Sequence, residues 1–226
     1  MNHSHSFNHQ MKLPKVSILL FFAKDRGWMQ QARESVYNQT YQGEIELLRS
    51  DLLNPDHSKM NTSENLNFLI KKAKGKFIKY LCEDDELTPI SIEASVEAML
   101  EQGCDFLHGN SINRHTQPDG GYVDKLYYPR LTEPTIPTIC EGNYVHGGTL
   151  FYKAELFKQG FKFDETINTA EEMDLTMHLL KSGKKMGYCN KFLYIYRRHD
   201  HQKSLGKAAN QVERAKVHEE IKNRYR

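Results

Sequence analysis

The residues with the strongest chemical signal are three consecutive acids, Glu83, Asp84 and Asp85. They directly follow residues 76–81, an apolar run that predicts a buried strand. Carboxylates crowded at the end of a strand repel one another, and a bound cation relieves that repulsion. Carboxylate oxygens suit Mg²⁺ or Mn²⁺, either of which can also hold a diphosphate. The cluster therefore indicates a metal-assisted site, with an acidic turn that caps the next helix as the alternative.

The elements around this cluster alternate between strands and helices. Continuous apolar runs predict strands over 15–22, 44–50, 76–81 and 105–110. Helical stripes and caps predict helices through Trp28, Ala32 and Val36, from Asn61 to Gly75, and from Thr88-Pro89 to Gly103. This alternation predicts an α/β fold on a parallel sheet, in which ligands bind beyond the carboxyl ends of the strands.

The second half of the chain has weaker patterns. Residues 118–121 form a turn signal, and the proline-containing stretch 127–144 predicts an irregular substrate loop. Regular structure is expected again as a strand near 149–152 and helices near 169–182 and 208–224.

Composition excludes several classes of function. Lys and Arg number 31 against 29 acids, and this net charge of +2 argues against a nucleic-acid partner. The four cysteines form no Cys-x-x-Cys pair, which favours a reduced compartment over a zinc site. The start of the chain lacks the apolar core of a signal peptide, and no run approaches the roughly 18 apolar residues of a membrane span. We therefore expect a cytoplasmic protein.

The order of segments from Val16 to Ser204 resembles the inverting glycosyltransferases of family 2, which have the GT-A fold. The resemblance is carried by the motifs ARESVYNQTYQGEIELL (32–48), YLCEDDELTP (80–89), VHGGTLFYKAELFKQGFKFDE (145–165), AEEMDLTMHLL (170–180) and YIYRRHDHQKS (194–204). It implies a single α/β domain with a Rossmann-like mixed, mostly parallel sheet flanked by helices. It also implies a divalent cofactor, Mn²⁺ or Mg²⁺.

The resemblance assigns roles on the donor side of the site. Asp84 matches the metal-binding position, while Cys82 stands where the family usually has its first Asp. Contacts to the nucleotide are implied for Phe22, Asp51, Asn67 and Glu83. Thiolate is a poor ligand for a hard ion, and so Glu83 is expected to substitute for the missing Asp by reaching the ribose.

Roles on the acceptor side follow in the same way. Glu172 matches the family's catalytic base, with Glu171 in reserve, although Thr169 and Glu172 also fit a capping box. His199 matches a position that completes the metal or diphosphate site, with His201 as the alternative ligand. Basic residues beside it are expected to face the diphosphate, namely Arg197, Arg198 and Lys203.

These matches divide the chain into a flexible leader (1–13), a nucleotide-sugar-binding half (14–110), an acceptor-binding half (111–205) and a C-terminal helix (206–226). The implied reaction transfers a sugar with inversion from a UDP-linked donor to a hydroxyl group of a glycan or glycolipid acceptor. A nucleotidyltransferase is the enzyme alternative, although residues 21–28 lack a glycine-rich phosphate loop. A degenerate nucleotide-sugar-binding module is the non-enzyme alternative. The C-terminal tail is a candidate for peripheral membrane contact.

Overall fold

The computed structural model describes residues 12–22, 25–117, 119–130, 132–142, 145–200, 202 and 211–226. One mixed sheet contains the strands β1 (Val16–Phe21), β2 (Ile45–Arg49), β3 (Phe77–Cys82), β4 (Glu86–Leu87), β5 (Phe106–Thr116), β6 (Tyr122–Tyr127), β7 (Phe151–Lys153) and β8 (Met186–Arg198). The α-helices are α1 (Met29–Tyr37), α2 (Ser50–Leu53), α3 (Thr62–Ile70), α4 (Ser91–Gln102), α5 (Ile136–Glu141), α6 (Ala154–Lys158), α7 (Glu171–Lys181) and α8 (Gln211–Tyr225). None of the helices in these residues combines the length and the apolar character needed to cross a membrane.

The sheet has the strand order β2-β1-β3-β7-β5-β8-β4, with β6 paired to β5. β1 lies parallel to both β2 and β3, and β5 lies parallel to β8. β7 runs antiparallel between β3 and β5, while β4 and β6 pair antiparallel with β8 and β5. β1, β2, β3, β5 and β8 therefore point the same way, and the predicted α/β fold with a mixed sheet is confirmed.

Side chains on opposite faces of the sheet pack into two separate apolar layers. Val16, Ile18 and Leu20 of β1 point toward one layer, which also contains residues of α1 and α4. Leu19 and Phe21 point toward the other layer, which contains residues of α3 and α7. Because both faces of β1 are covered, all six of its residues are buried, which explains why its sequence is a continuous apolar run.

The region after residue 110 is more regular than the sequence predicted. The strand expected over 105–110 continues to Thr116 and forms a hairpin with β6. At the predicted turn, the Gln117 N–H donates to the Gly121 carbonyl, and Gly120 has a φ of 82°. Five of the six residues of β6 are exposed, including Tyr122, Val123 and Leu126, so this strand lacks the alternation of buried apolar and exposed polar residues that marks a half-buried strand. α5 occupies part of the predicted irregular stretch.

β8 is a long strand that apolar periodicity did not reveal. Its pairing with β5 shifts register between Cys189 and Phe192, where residues 190 and 191 are left out of the ladder. A bulge of this kind breaks the regular alternation of buried and exposed side chains. Beyond the bulge, Ile195 pairs with Glu86 of β4, which brings the carboxyl end of β8 beside the acidic cluster.

α8 packs against the rest of the domain through one side only. Val217, Ile221 and Tyr225 are buried in an apolar cluster with residues of α5 and α7. Val212 on another side is 82% exposed. Residues 1–11 of the predicted leader and 203–210 near the predicted start of this helix lie outside the described residues.

Gly103 ends α4 in the left-handed conformation, with a φ of 59°. A Cβ atom added there would meet nothing within 4 Å. We therefore expect Gly103→Ala to lower the free energy of unfolding by about 1 kcal/mol through backbone strain alone. Urea denaturation measures this change. Gly103→Asn should lose less, because Asn tolerates this conformation better; equal losses in both variants would contradict the explanation.

Candidate active site

A cavity of about 490 Å³ opens at the carboxyl ends of β1 and β3. This is the edge where ligands of open α/β sheets bind. Residues from the whole length of the chain line it, including Phe22, Glu83, Asp84, Glu172, Arg198 and Arg214. The fold therefore gathers residues from both predicted halves and from α8 around one space.

The three acids of the cluster do not behave alike, and Asp85 points into the protein. Its carboxylate accepts a hydrogen bond of 2.8 Å from the Tyr194 hydroxyl and another of 2.8 Å from the Arg197 backbone N–H. Burial, and then the negative charge of Asp84, raise the pKa of Asp85 well above its ordinary value. Asp85 thus links the end of β3 to β8.

Asp84 meets His199, as the metal assignment requires. The Asp84 Oδ2 and His199 Nε2 atoms lie 3.0 Å apart, although the residues are 115 positions apart in the chain. The Trp28 ring packs against the imidazole with ring centroids 4.7 Å apart. The Arg197 Nε–H donates to the Asp84 carbonyl at 3.0 Å. Both residues are therefore held in place by Arg197 of β8 and by Trp28, the residue that precedes α1.

The donor atoms near Asp84 fit a divalent ion. A carboxylate oxygen and an imidazole nitrogen are both accepted by Mn²⁺, and oxygen is preferred by Mg²⁺. Ligand atoms of Cys82, Asp84 and Asp85 also lie within 4.8 Å of one another. Asp85 already accepts two hydrogen bonds, and the Cys82 thiol is too soft for these ions. Asp84 and His199 are thus the better pair of ligands.

Glu83 is buried, with its side chain 4% exposed, and pairs with Arg26 at 2.5 Å. Burial and the charge of Asp84 raise the pKa of Glu83 to about 7, against the opposing effect of Arg26. Arg26 is a site residue that no sequence motif predicted. It lies in the loop after β1, and the available signal was a basic residue at the carboxyl end of a central strand.

Glu172 lies in the first turn of α7 and lines the cavity. The N-cap of this helix is Ala170, which has a φ of 59° and makes no side-chain capping bond. The Thr169 hydroxyl instead accepts a hydrogen bond of 2.5 Å from Arg214. Because the helix begins one residue too late, the capping-box alternative for Thr169 and Glu172 is wrong. Glu171 also lines the cavity but is more deeply buried.

Gly147 lies directly against the Glu172 side chain. A Cβ atom at position 147 would collide with the Glu172 carboxylate. Burial, and then the negative charge of Glu172, also raise the pKa of Tyr80 well above its ordinary value. The carboxylate is therefore in a tightly packed corner of the cavity between Gly147 and the end of β3.

Some of the residues predicted to contact the nucleotide line the cavity and others do not. Phe22 lines the cavity, and its ring lies 5.2 Å from that of His57. Asp51 is held by two hydrogen bonds from Arg49, at 3.1 and 2.6 Å, and does not line the cavity. Its contact with the nucleotide stays a prediction.

Asn67 also lies outside the cavity lining and holds a distant segment instead. Its amide group donates to the Phe163 carbonyl at 2.9 Å and to the Glu165 carboxylate at 2.8 Å. Its oxygen accepts from the Phe163 N–H at 3.1 Å. These bonds give Asn67 a structural contact between α3 and the segment before α7, and its predicted nucleotide contact stays untested.

The expectation that Arg197 faces a diphosphate does not fit the geometry. Arg197 is 1% exposed and donates to the Glu86 carboxylate at 2.8 Å and to the Gln31 side chain at 2.6 Å. Its charge is therefore balanced inside the protein. His201 and Lys203, named as a further ligand and a further cation, lie outside the described residues.

Comparison with known proteins identifies relatives of one kind. No family model matches the sequence. A Rickettsia bellii (strain RML369-C) protein named as an uncharacterized glycosyltransferase is 26% identical over 203 residues, covering 74% of this chain and 28% of that protein. The chain thus spans much less than two thirds of this relative.

Solved structures of S. aureus TarS 1-349 share the fold. The complex with UDP matches with a TM-score of 0.59 and 15% identity, covering 81% of this chain and 60% of that one. The complex with UDP-GlcNAc matches with a TM-score of 0.61 and 14% identity, covering 83% and 59%. The chain resembles glycosyltransferases. At these identities the structural match supports the fold, and the roles of individual residues rest on the site itself.

His146 lines the cavity, where burial and the charges of Lys79 and Arg198 lower its pKa to about 4. In the unfolded chain the pKa of this histidine is about 6.5, so the unfolded state binds a proton at a higher pH than the folded state does. His146 therefore lowers the free energy of unfolding as the pH falls from about 6.5 to 4. Between pH 7 and pH 4.5, the free energy of unfolding should fall by on the order of 2 kcal/mol less in His146→Gln than in the wild type. Urea unfolding at both pH values tests this, and parallel losses would contradict it.

Proposed function

We propose that this protein transfers a sugar from a UDP-linked donor to a hydroxyl group of a glycan or glycolipid acceptor, with inversion at the anomeric carbon. The observation that carries the proposal is the 3.0 Å distance between His199 and Asp84, because Asp84 lines the same cavity as Glu172. A ligand pair and a separate carboxylate are the groups such a displacement needs. The relatives named above support the donor class.

The donor end of the cavity contains Phe22, Arg26, Glu83 and Asp84. In our proposal Phe22 lies against the base and Glu83, oriented by Arg26, binds the ribose. Asp84 and His199 hold Mn²⁺ or Mg²⁺, which supplies positive charge to the departing diphosphate when it is bound. The S. aureus TarS complexes with UDP and UDP-GlcNAc support UDP as the nucleotide.

Glu172 is our candidate for the base. It accepts the proton of the acceptor hydroxyl while that oxygen bonds to the anomeric carbon and the bond from this carbon to the diphosphate breaks. The amino-terminal end of α7 favours the ionised carboxylate, because the helix dipole is positive there. Glu172 is also less deeply buried than Glu171, which supports it over the reserve candidate.

The non-enzyme alternative, a degenerate nucleotide-sugar-binding module, has one observation in its favour. Cys82 sits beside Asp84, within the group of ligand atoms that lie 4.8 Å apart or less, where a hard ion prefers oxygen. Such a module binds the donor without breaking it. Release of UDP from UDP-GlcNAc in the presence of manganese therefore separates this alternative from the enzyme.

Asp84→Asn should weaken manganese-dependent UDP binding at least about tenfold and remove turnover, because an amide is a poorer ligand than a carboxylate. Titration of UDP with and without manganese measures the first effect. Asp56→Asn is the matched control, since that side chain is 64% exposed and does not line the cavity. If Asp84→Asn binds UDP and manganese like the wild type, the metal assignment is wrong.

Glu172→Gln should keep UDP binding and lower kcat for transfer by about 10²–10⁴, the usual contribution of a general base. Stopped assays of UDP release, together with UDP titration, separate the two effects. Glu171→Gln serves as the comparison. A large loss of kcat in Glu171→Gln with normal turnover in Glu172→Gln would transfer the base role to Glu171.

A further inference from the structure

One face of the sheet beyond the acidic cluster is built from three strands. The ladder pairs Ser111 with Tyr127 and Tyr194, and it pairs Asn113 with Tyr196. Residues opposite each other in a ladder point to the same side, so these side chains share a face. Asn113, Tyr127, Tyr194, Tyr196 and Arg198 all line the cavity. All five lie in the predicted acceptor-binding half, and Arg198 was also expected from the sequence to face the diphosphate.

Arg198 carries an unbalanced charge on this wall. The side chain is half-buried, and within the described part of the chain no hydrogen bond or ion pair engages its guanidinium group. Its recorded contact is the Tyr196 ring, whose centroid lies 5.6 Å from Arg198 Cζ. A half-buried guanidinium usually has an anionic partner, since burial of an unpaired charge is costly.

Two arginines on the opposite face of the same strands are paired with carboxylates. Arg114 pairs with Asp124 at 3.0 Å and with Glu86 at 2.9 Å. Arg197 pairs with Glu86 at 2.8 Å. Both arginines that point away from the cavity therefore have carboxylate partners, while Arg198, which points into it, has none among the described residues.

Two further polar atoms at this wall are buried without a hydrogen bond. They are Asn113 Oδ1 and His146 Nδ1, and both residues line the cavity. Burial together with Lys79 and Arg198 lowers the pKa of His146 to about 4, so its ring is neutral at physiological pH. In the described residues the wall thus offers one positive charge, one neutral imidazole and one amide. This set suits a polar ligand with a single acidic group.

The rings on the wall suit a saccharide. The His146 ring lies 4.8 Å from Tyr196 and 6.2 Å from Tyr127, measured between centroids. Sugars bind where apolar aromatic surface is combined with a few hydrogen-bonding groups that fix orientation. The rings, the amide and the imidazole supply both parts of such a site.

The wall also adjoins the candidate base. Gly147 follows His146 in the chain and lies against the Glu172 carboxylate. The donor residues Glu83 and Asp84 line the same cavity. A saccharide on this wall would have its hydroxyl groups near Glu172.

We propose that Asn113, Tyr127, His146, Tyr196 and Arg198 form the acceptor subsite, and that it selects a saccharide unit bearing one acidic group, a carboxylate or a phosphate, which Arg198 binds. The assignment of this wall to the acceptor rests on the proposed function. The preference for an anionic saccharide is inferred from the residues of the wall alone and does not depend on the proposed function.

The test compares three matched probes by NMR titration, each in the presence and absence of UDP and manganese. They are methyl β-glucopyranoside, methyl β-glucuronide and methyl β-glucopyranoside 6-phosphate, which are neutral, carboxylate-bearing and phosphate-bearing. We expect the better of the two charged probes to bind the wild type about tenfold or more tightly than the neutral one, as one charge-assisted pair provides. The stronger of the two charged probes identifies the acidic group.

Arg198→Gln should abolish the preference for the charged probes while leaving the neutral probe unchanged, and Arg198→Lys should retain part of it. Lys191→Gln is the control, because it removes the same charge from an exposed position on β8 that does not line the cavity. The proposal is overturned if no probe binds, if the neutral probe binds equally well, or if Arg198→Gln keeps the preference.

UDP titration of the same samples separates the two proposals. If charged probes are preferred but UDP does not bind, the donor assignment fails and the anionic subsite stands. If UDP binds with manganese but the charged probes show no preference, the subsite proposal alone fails.

Discussion

The site depends on the buried carboxylate of Asp85, which joins the ends of β3 and β8. Its two oxygens accept hydrogen bonds from the Tyr194 hydroxyl and the Arg197 backbone N–H, both on β8. These strands are not neighbours in the sheet, since β7 and β5 lie between them. The link therefore closes the sheet around the cavity, and it sets Asp84 beside His199, the residue that follows β8. The pairing of Glu86 with Ile195 and the hydrogen bond from Arg197 Nε to the Asp84 carbonyl support the same arrangement.

Lys79 of β3 is a buried basic group on the same side of the site as Asp85 and connects it to the segment before β7. Lys79 is 1% exposed, donates to the Gly148 and Leu150 carbonyls, and lies 5.1 Å from the Tyr194 ring centroid. Burial lowers its pKa to about 7, while Cys82 and Asp85 oppose that shift. The carbonyls it holds belong to the segment that packs Gly147 against Glu172. The charge balance of the acidic cluster and the position of the candidate base are thus connected through one lysine.

The sequence revealed the first half of the fold because local burial determines its pattern there. β1 is covered on both faces, and its apolar run shows this directly. β8 and the β5–β6 hairpin were not predicted, since a bulge interrupts the β5–β8 ladder and β6 is exposed on both of its faces. The site residues also divide into those that local sequence predicts and those that it does not. Asp84, Glu83 and Glu172 stand at element ends where a motif can be recognised, whereas Asn67, also at a matching motif position, is hydrogen-bonded to Phe163 and Glu165. Arg26 and His146 become site residues only through pairings between distant segments, which no local pattern contains.

The start of α7 combines backbone strain with a contact from the end of the chain. Ala170 adopts a φ of 59°, a conformation that costs a non-glycine residue about 1–2 kcal/mol. Strain of this kind persists only where the surroundings hold it in place. Arg214 of α8 does so by donating to the Thr169 hydroxyl, and Val217, Ile221 and Tyr225 anchor α8 in the cluster that contains Met173 and Met177 of α7. α8 is therefore more than a surface helix, because it stabilises the turn that directs Glu172 into the cavity.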